Sequence, residues 1–309
     1  MNPRPALCVH GASATRTLLP WPALMQAVAQ AARDLKRGGI QAPPRQALPF
    51  PQGGVLLSMP ATAADIGVHK LVNVVAGNRD RDLPTIHGMV SIYDGRTGEP
   101  RLLLDGPTVT TRRTVAVSML GLSRLLPAGP RHAAIFGTGT QAQGHMLALR
   151  ELHPDCRIDI IGRTPAQANR LASQLNQAQI RAAADVADTV DLVITATTSA
   201  RPVYRLPALA GRVIVAVGAY RAELAEIDPA TIRASTLYVD EIEGARHEAG
   251  DYLQAGVDWA AVRDLTDLLD GPVPAGPCLL KTVGCAAWDL AAARCALARQ
   301  AALSQESAR

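Results

Sequence analysis

The segment Gly137-Thr138-Gly139-Thr140-Gln141-Ala142 limits what this chain can fold into more than any other. It follows a short apolar run, 133–136, and opens a helical pattern with Ala142, Met146, Leu149 and Leu152 on one face. A second apolar run, 157–161, comes next. Strand, glycine turn, helix and strand in that order begin a Rossmann-type βαβ unit. Gly137 permits the tight turn, and Gly139 lets backbone approach a pyrophosphate with no side chain between. Ala142 is small enough for the helix to pack on the strand. The pyrophosphate then meets the free N–H groups and positive dipole end of the helix. Glycine-rich turns also arise for backbone reasons alone, and it is the order of the flanking elements that favours a dinucleotide site. Gly137, Thr138, Gly139, Thr140, Gln141 and Ala142 are therefore the candidate cofactor-binding residues.

The rest of this half keeps the same rhythm. A helix carrying Ala168, Leu171, Ala172 and Leu175 follows the second strand, and further apolar strands fall at 191–196, 213–218 and 237–239. The pattern predicts an α/β fold with a doubly wound parallel sheet. Upstream the character differs. One helical stretch, 21–37, precedes prolines 43, 44, 49, 51 and 60 and the extended runs 54–58, 70–75, 88–93 and 100–104, with turn chemistry at Asp94-Gly95 and Thr97-Gly98. This reads as an antiparallel sheet with one helix. An apolar helical run, 114–126, marks the change, and a last helix near 284–299 carries Ala286, Leu290, Ala293 and Leu297 on one face.

A length of 309 residues fits two domains, each able to bury a core. With aromatics at 3% and a scattered net charge of +4, neither a base-stacking platform nor a nucleic-acid or polybasic membrane patch is indicated. The five cysteines have no paired metal spacing and point to buried or free thiols in a reducing compartment. Residues 1–17 have no apolar core of the signal-peptide kind, and no apolar run reaches the ~18 residues a membrane span needs. A cytoplasmic protein is expected. His69, His87 and His145 form no metal spacing, so no metal site is expected, and no Ser-His-Asp order or Walker loop occurs.

The second strand's end bears on which dinucleotide binds. NAD-preferring sites place an acid there for the ribose hydroxyls. This chain has Gly162-Arg163-Thr164, and Asp185, Asp188, Asp191 and Glu223 fall later in the fold. Arg163 can pair with a 2′-phosphate and Thr164 can donate to it, so NADP(H) is the preferred cofactor, with NAD(H) the alternative if Arg163 is a surface cation only.

At this point the chain resembles the ornithine cyclodeaminase/mu-crystallin family over most of its length. The resemblance is carried by Pro44-Arg45, Met59-Pro60, Lys70-Leu71-Val72-Asn73, Asp94 to Pro100 and Thr110 to Thr114, then by the Gly137 loop, Asp191 to Thr197, Val217-Gly218-Ala219, Val283-Gly284 and Asp289-Leu290. It implies a Rossmann domain, 117–283, and a smaller α+β substrate-binding and dimerisation domain, 1–116, joined by the C-terminal helix 284–309. It also implies a homodimer. Family members bind the α-carboxylate of an amino or imino acid with basic side chains, which correspond here to Arg45, Lys70 and Arg113, the last two also being the candidate catalytic residues. Without the resemblance these three would read as ordinary surface charge. Thr195, Ala196, Thr197, Val217, Gly218, Thr282 and Val283 correspond to positions near the cofactor. Met59 and Thr114 fit pocket lining and core packing equally.

Two departures matter. Cyclodeaminases carry an Asp after the Val-Gly-(Gly/Ala) turn, where this chain has Tyr220, and a Glu shortly before Met-Pro, where it has Leu57. A tyrosine, with its pKa near 10, is a poor base for amine oxidation at neutral pH. Imine reductases of the mu-crystallin kind also lack that Asp and use NADPH. The expected function is thus an NAD(P)-dependent oxidoreductase that reduces imino acids such as Δ1-pyrroline-2-carboxylate or Δ1-piperideine-2-carboxylate. The alternatives are an ornithine cyclodeaminase, a non-catalytic NADP-binding protein of crystallin type and, more weakly, an amino-acid dehydrogenase.

Overall fold

The structure is a computed structural model and describes residues 7–307. The outermost ends of the expected first domain and final helix, residues 1–6 and 308–309, lie outside the described residues. The first elements are β1 (Cys8–His10), α1 (Ala12–Thr17), α2 (Trp21–Lys36), β2 (Ile40–Gln41), β3 (Gln46–Pro49), β4 (Val55–Ala63) and β5 (Ile66–Val74). Then come β6 (Ile86–Asp94), β7 (Pro100–Asp105), α3 (Gly106–Leu125), β8 (His132–Phe136), α4 (Thr140–Leu152), β9 (Arg157–Ile161) and α5 (Pro165–Leu175). The remainder are β10 (Ile180–Ala182), β11 (Leu192–Thr195), β12 (Val213–Ala216), α6 (Pro229–Arg233), β13 (Thr236–Val239), α7 (Ile242–Glu248), α8 (Gly250–Ala255), α9 (Leu265–Asp270), β14 (Cys278–Lys281) and α10 (Ala286–Ser307).

The chain forms two compact units, Met1–Ala116 with Cys285–Arg309, and Val117–Gly284. In the first, the sheet runs β1-β7-β6-β5-β4-β2, with β3 on β4. All its pairs are antiparallel except β1 with β7, a parallel contact that the turn-rich sequence does not announce. Burial alternates along β5, with Ile66, Val68, Lys70 and Val72 turned to the core, as a half-buried strand requires. Helices α2 and α10 pack together, and α10 also covers β4 and β5. Arg294 of α10 fastens this packing, its Nε and Nη2 donating to Asp65 at 2.8 and 2.7 Å and its Nη1 to Asp34 at 2.8 Å.

The second unit is a wholly parallel sheet in the order β10-β9-β8-β11-β12-β14-β13. Strands β9 and β10 lie to one side of β8 and the rest to the other, so the fold is doubly wound with its switch point between β8 and β11. Its core joins Phe136, Val193, Ile214 and Leu279 of the strands to Tyr204, Ile232 and Tyr252. Strand β14 follows a Gly/Pro-rich segment and inserts between β12 and β13, which its four residues gave no periodicity to foretell.

Helix α3 begins eight residues before the expected apolar run. Asp105 accepts from the Thr108 N–H at 2.9 Å, and Pro107 sits in the first turn. This is capping chemistry that the polar stretch Thr110 to Thr114 concealed. No helix among the described residues is long and apolar enough to cross a membrane.

Candidate functional site

In the first unit, the period-2 pattern of β5 turns Lys70 inward, directly opposite Met59 of β4, with Leu57 opposite Val72 on the same face. Lys70 is 2% exposed and Met59 4%. Helix α10 brings up Asp289, which is fully buried, and α3 brings up Arg113. Lys70 Nζ lies 2.8 Å from Asp289 Oδ2, and Arg113 Nε 3.4 Å from Oδ1. The Arg113 Nε–H, though buried, makes no aligned hydrogen bond. Arg45, half-buried just before β3, adds its positive field at Lys70. Burial pushes the Lys70 ammonium down to about 8; Asp289 opposes this, while Arg113 and Arg45 reinforce it. Two buried cations share one buried carboxylate, an excess of positive charge where charge is costly to bury, and an incoming carboxylate is the group that offsets it. Arg45, Lys70, Arg113 and Met59, far apart in sequence, thus belong to one unit, and the first three act on one another.

The second unit presents the glycine turn at the switch point. Gly137 has φ +116°, and a Cβ there would stand 2.5 Å from the Ala196 carbonyl oxygen, so only glycine fits. Its N–H donates to Ile161 O at 2.9 Å, tying the turn to the end of β9. Gly139 is the N-cap of α4 and contributes no side-chain cap; the first turn holds no acid, and a Cβ on Gly139 would meet nothing within 4 Å. With no side-chain cap, that turn leaves its first N–H groups to an outside acceptor, as an anion-binding helix start requires. Ala142 is fully buried against the sheet. Thr138 O accepts from Gln143 Nε2, while Thr140 is exposed and Gln141 half-buried. The residues present therefore fit a dinucleotide.

Arg163 and Thr164 are exposed just beyond β9, and Thr164 also caps α5, its hydroxyl accepting from the Gln167 N–H. Thr195, Ala196 and Thr197 leave β11, and Val217 and Gly218 leave the neighbouring β12. The Thr195 hydroxyl is fully buried and donates to Glu226 at 3.0 Å. Beyond β14, the Thr282 N–H donates to Ala216 O and the Val283 N–H to Asp240. Tyr220 lies on the surface and Leu57 is half-buried. The histidines stay outside both clusters: His69 pairs with Ser58, and buried His145 donates from Nδ1 to Gln141 O and accepts from Ser118, its pKa pushed down to about 4. No group of metal-ligating side chains occurs among the described residues.

Two acids escaped the sequence reading. Asp289 is a single carboxylate in an otherwise apolar stretch, Ala286 to Ala293, which is itself a signal. Glu226 has Glu223 and Asp228 close by, so the sequence does not single it out.

A family model described as ornithine cyclodeaminase/mu-crystallin family matches residues 8–302. The chain belongs to this family. It is 49% identical over 293 residues to the Delta(1)-pyrroline-2-carboxylate/Delta(1)-piperideine-2-carboxylate reductase of Azospirillum brasilense, covering 93% of this chain and 94% of that protein. Against the ketimine reductase mu-crystallin of Mus musculus it is 32% identical over 83% of this chain and 84% of the other. In fold it is similar to the Thermococcus litoralis Delta(1)-pyrroline-2-carboxylate reductase in complex with NADH and L-proline, at a TM-score of 0.84, 24% identity and coverage of 96% and 98%. The Rossmann-type fold with a second domain is thus that of the ornithine cyclodeaminase/mu-crystallin family.

Proposed function

We propose that this chain is an NAD(P)H-dependent reductase of imino acids, with Δ1-pyrroline-2-carboxylate and Δ1-piperideine-2-carboxylate as the substrate class. The observation that carries it is the pair of buried cations, Lys70 and Arg113, on the single carboxylate of Asp289. Lys70 and Arg113 hold the substrate carboxylate, Arg45 adds field, and Met59 bounds the pocket beside Lys70. At neutral pH Lys70 keeps its proton and remains a cation. When bound, a nicotinamide would supply the hydride that the imine carbon needs, and the imine nitrogen takes up one proton. A protonated imine is already electrophilic, so positioning and electrostatics supply the rate. Tyr220 and Leu57 stand where a deaminating enzyme needs acids, which favours reduction over ammonia release. In the second unit Gly137 to Ala142 hold the pyrophosphate, and Thr195 to Thr197, Val217, Gly218, Thr282 and Val283 wall the nicotinamide half.

Exposed Arg163, with no acid beside it at the end of β9, supports NADPH as the preferred donor. A homodimer through the first unit is supported by the sheet face opposite Lys70. There Leu48 is 58% and Met89 51% exposed, and Leu56 and Leu71 share the same face. Cys156, Cys278 and Cys295, buried as free thiols, fit the cytoplasm.

One assay decides the activity. NADPH is oxidised on addition of pyrroline-2-carboxylate, and ornithine with NAD releases no ammonia. Ammonia from ornithine would instead identify a cyclodeaminase, and tight NADPH binding with neither reaction would identify a binding protein. Arg163→Ala is expected to raise the KM for NADPH roughly tenfold and leave that for NADH unchanged; equal effects on both would remove Arg163 from the 2′-phosphate.

A further inference from the structure

Glu226 lies in the segment between β12 and α6 and is fully buried. Its carboxylate accepts from five donors. Oε1 takes the Thr197 N–H at 2.6 Å and the Thr197 hydroxyl at 2.8 Å; Oε2 takes the Thr195 hydroxyl at 3.0 Å, the Gly218 N–H at 2.6 Å and the Ala219 N–H at 3.2 Å. All five belong to the turns that leave two adjacent parallel strands, β11 and β12. Gly218 must be glycine here, because a Cβ would collide with Thr197 and with Glu226 itself.

Glu226 is held in turn. Its own N–H, and that of Ile227, donate to Asp251 Oδ1 at 2.6 and 2.9 Å. The other Asp251 oxygen lies 3.0 Å from Nζ of Lys281, the last residue of β14, and both side chains are fully buried. One chain of contacts therefore joins the carboxyl ends of β11, β12 and β14. It reaches the glycine turn too, since the Ala196 carbonyl sits against Gly137.

A buried acid on this scale is expensive to keep, and an apolar core would fold without it. What it does that an apolar side chain cannot is hold three backbone amides of two turns at one point. Those turns stand at the switch point, where a doubly wound sheet binds its ligand. We propose that Glu226 is a positioning residue of the dinucleotide site: its carboxylate sets the Thr195–Thr197 and Val217–Ala219 turns so that the cofactor meets preformed walls. The proposal rests on the cofactor reading above. Glu226 does not itself touch substrate or cofactor; it acts through Thr197 and Gly218.

The test compares binding with stability. Glu226→Gln keeps the volume but turns one accepting oxygen into an NH2 group that faces donors. Titration of NADPH against the purified variant, followed by cofactor fluorescence, should give a Kd raised about tenfold or more. The steady-state KM for NADPH should rise in step, and the KM for pyrroline-2-carboxylate at saturating NADPH should stay put. Leu268→Ala serves as the stability control, a buried core change in α9 that makes no hydrogen bond to these turns. It should lower Tm and leave the NADPH Kd unchanged. A Glu226→Gln protein with lowered Tm and wild-type Kd overturns the proposal and leaves the cofactor reading intact. Wild-type protein that binds neither NADPH nor NADH sinks both together. If Glu226→Gln does not fold, Glu226→Asp keeps the charge but draws the carboxylate back from the two turns by one methylene. A Kd about threefold higher then supports the proposal, and an unchanged Kd overturns it.

Discussion

Lys70 occupies a position that β5 otherwise gives to isoleucine and valine, and its chemistry follows from that placement. Removing Arg113 or Lys70 takes away one buried partner of a carboxylate, a loss of about 2–5 kcal/mol. Arg113→Ala and Lys70→Met should each raise the imino-acid KM roughly thirtyfold or more, with cofactor binding unchanged. An effect on Tm alone would take them out of the site. Because Lys70 titrates at about 8, kcat/KM for the imino acid should fall as pH rises through that value. Stability should move the other way. The folded-state pKa lies below the ordinary 10.5, so the unfolded chain binds more protons between about 8 and 10.5 and stability rises with pH across that window. Denaturant titrations from pH 7 to 10 read this slope, which Lys70→Met should lack. Asp289→Asn leaves two buried cations facing a neutral amide and should cost roughly 3–5 kcal/mol at pH 7, less above pH 8. None of this was visible in composition. Lys70 opened the expected strand and read as ordinary surface charge without the resemblance; its inward position in β5 and its pairing with Asp289 came from the fold.

At the level of elements, the glycine turn does two different jobs. Gly137 is conformational: Gly137→Ala meets a positive φ and the Ala196 carbonyl, and should destabilise the fold by about 1–3 kcal/mol. Gly139 faces open space, so Gly139→Trp should fold with a wild-type Tm and fail to bind NADPH; normal binding would remove the α4 N-terminus from the site. The α10 clamp is a third case. Arg294→Ala breaks two ion pairs of good geometry and should lower stability by about 1 kcal/mol, read as a small fall in Tm. The long or strongly patterned elements, α2, β5, β6 and α4, were legible because a 3.6- or 2-residue period survives in their side chains, and β8 and β9 as short apolar runs on either side of the glycine turn and its helix. The short ones, β1, β2, β3, β10 and β14, hold two to four residues each and carry no period to read. The early start of α3 was written in Asp105 and Pro107, as capping rather than as hydrophobicity.

For the whole molecule, membership of the family and the reading as an imino-acid reductase draw on both units: one carries the buried cations, the other the glycine turn. If the open sheet face of the first unit joins two copies, Met89→Asp should convert a dimer to a monomer by light scattering. A monomeric wild type would show that this face serves another end. The amino-acid order alone was enough for the βαβ unit, its glycine turn and the parallel doubly wound sheet. Each of these depends on neighbours within a few tens of residues, where backbone sterics and periodic burial act. The counter-ion for Lys70, the role of Glu226 and the bond from Arg294 to Asp65 across 229 residues emerged only on folding. Burial and proximity set the charge state of a side chain, and both come from packing between distant segments that no local pattern encodes.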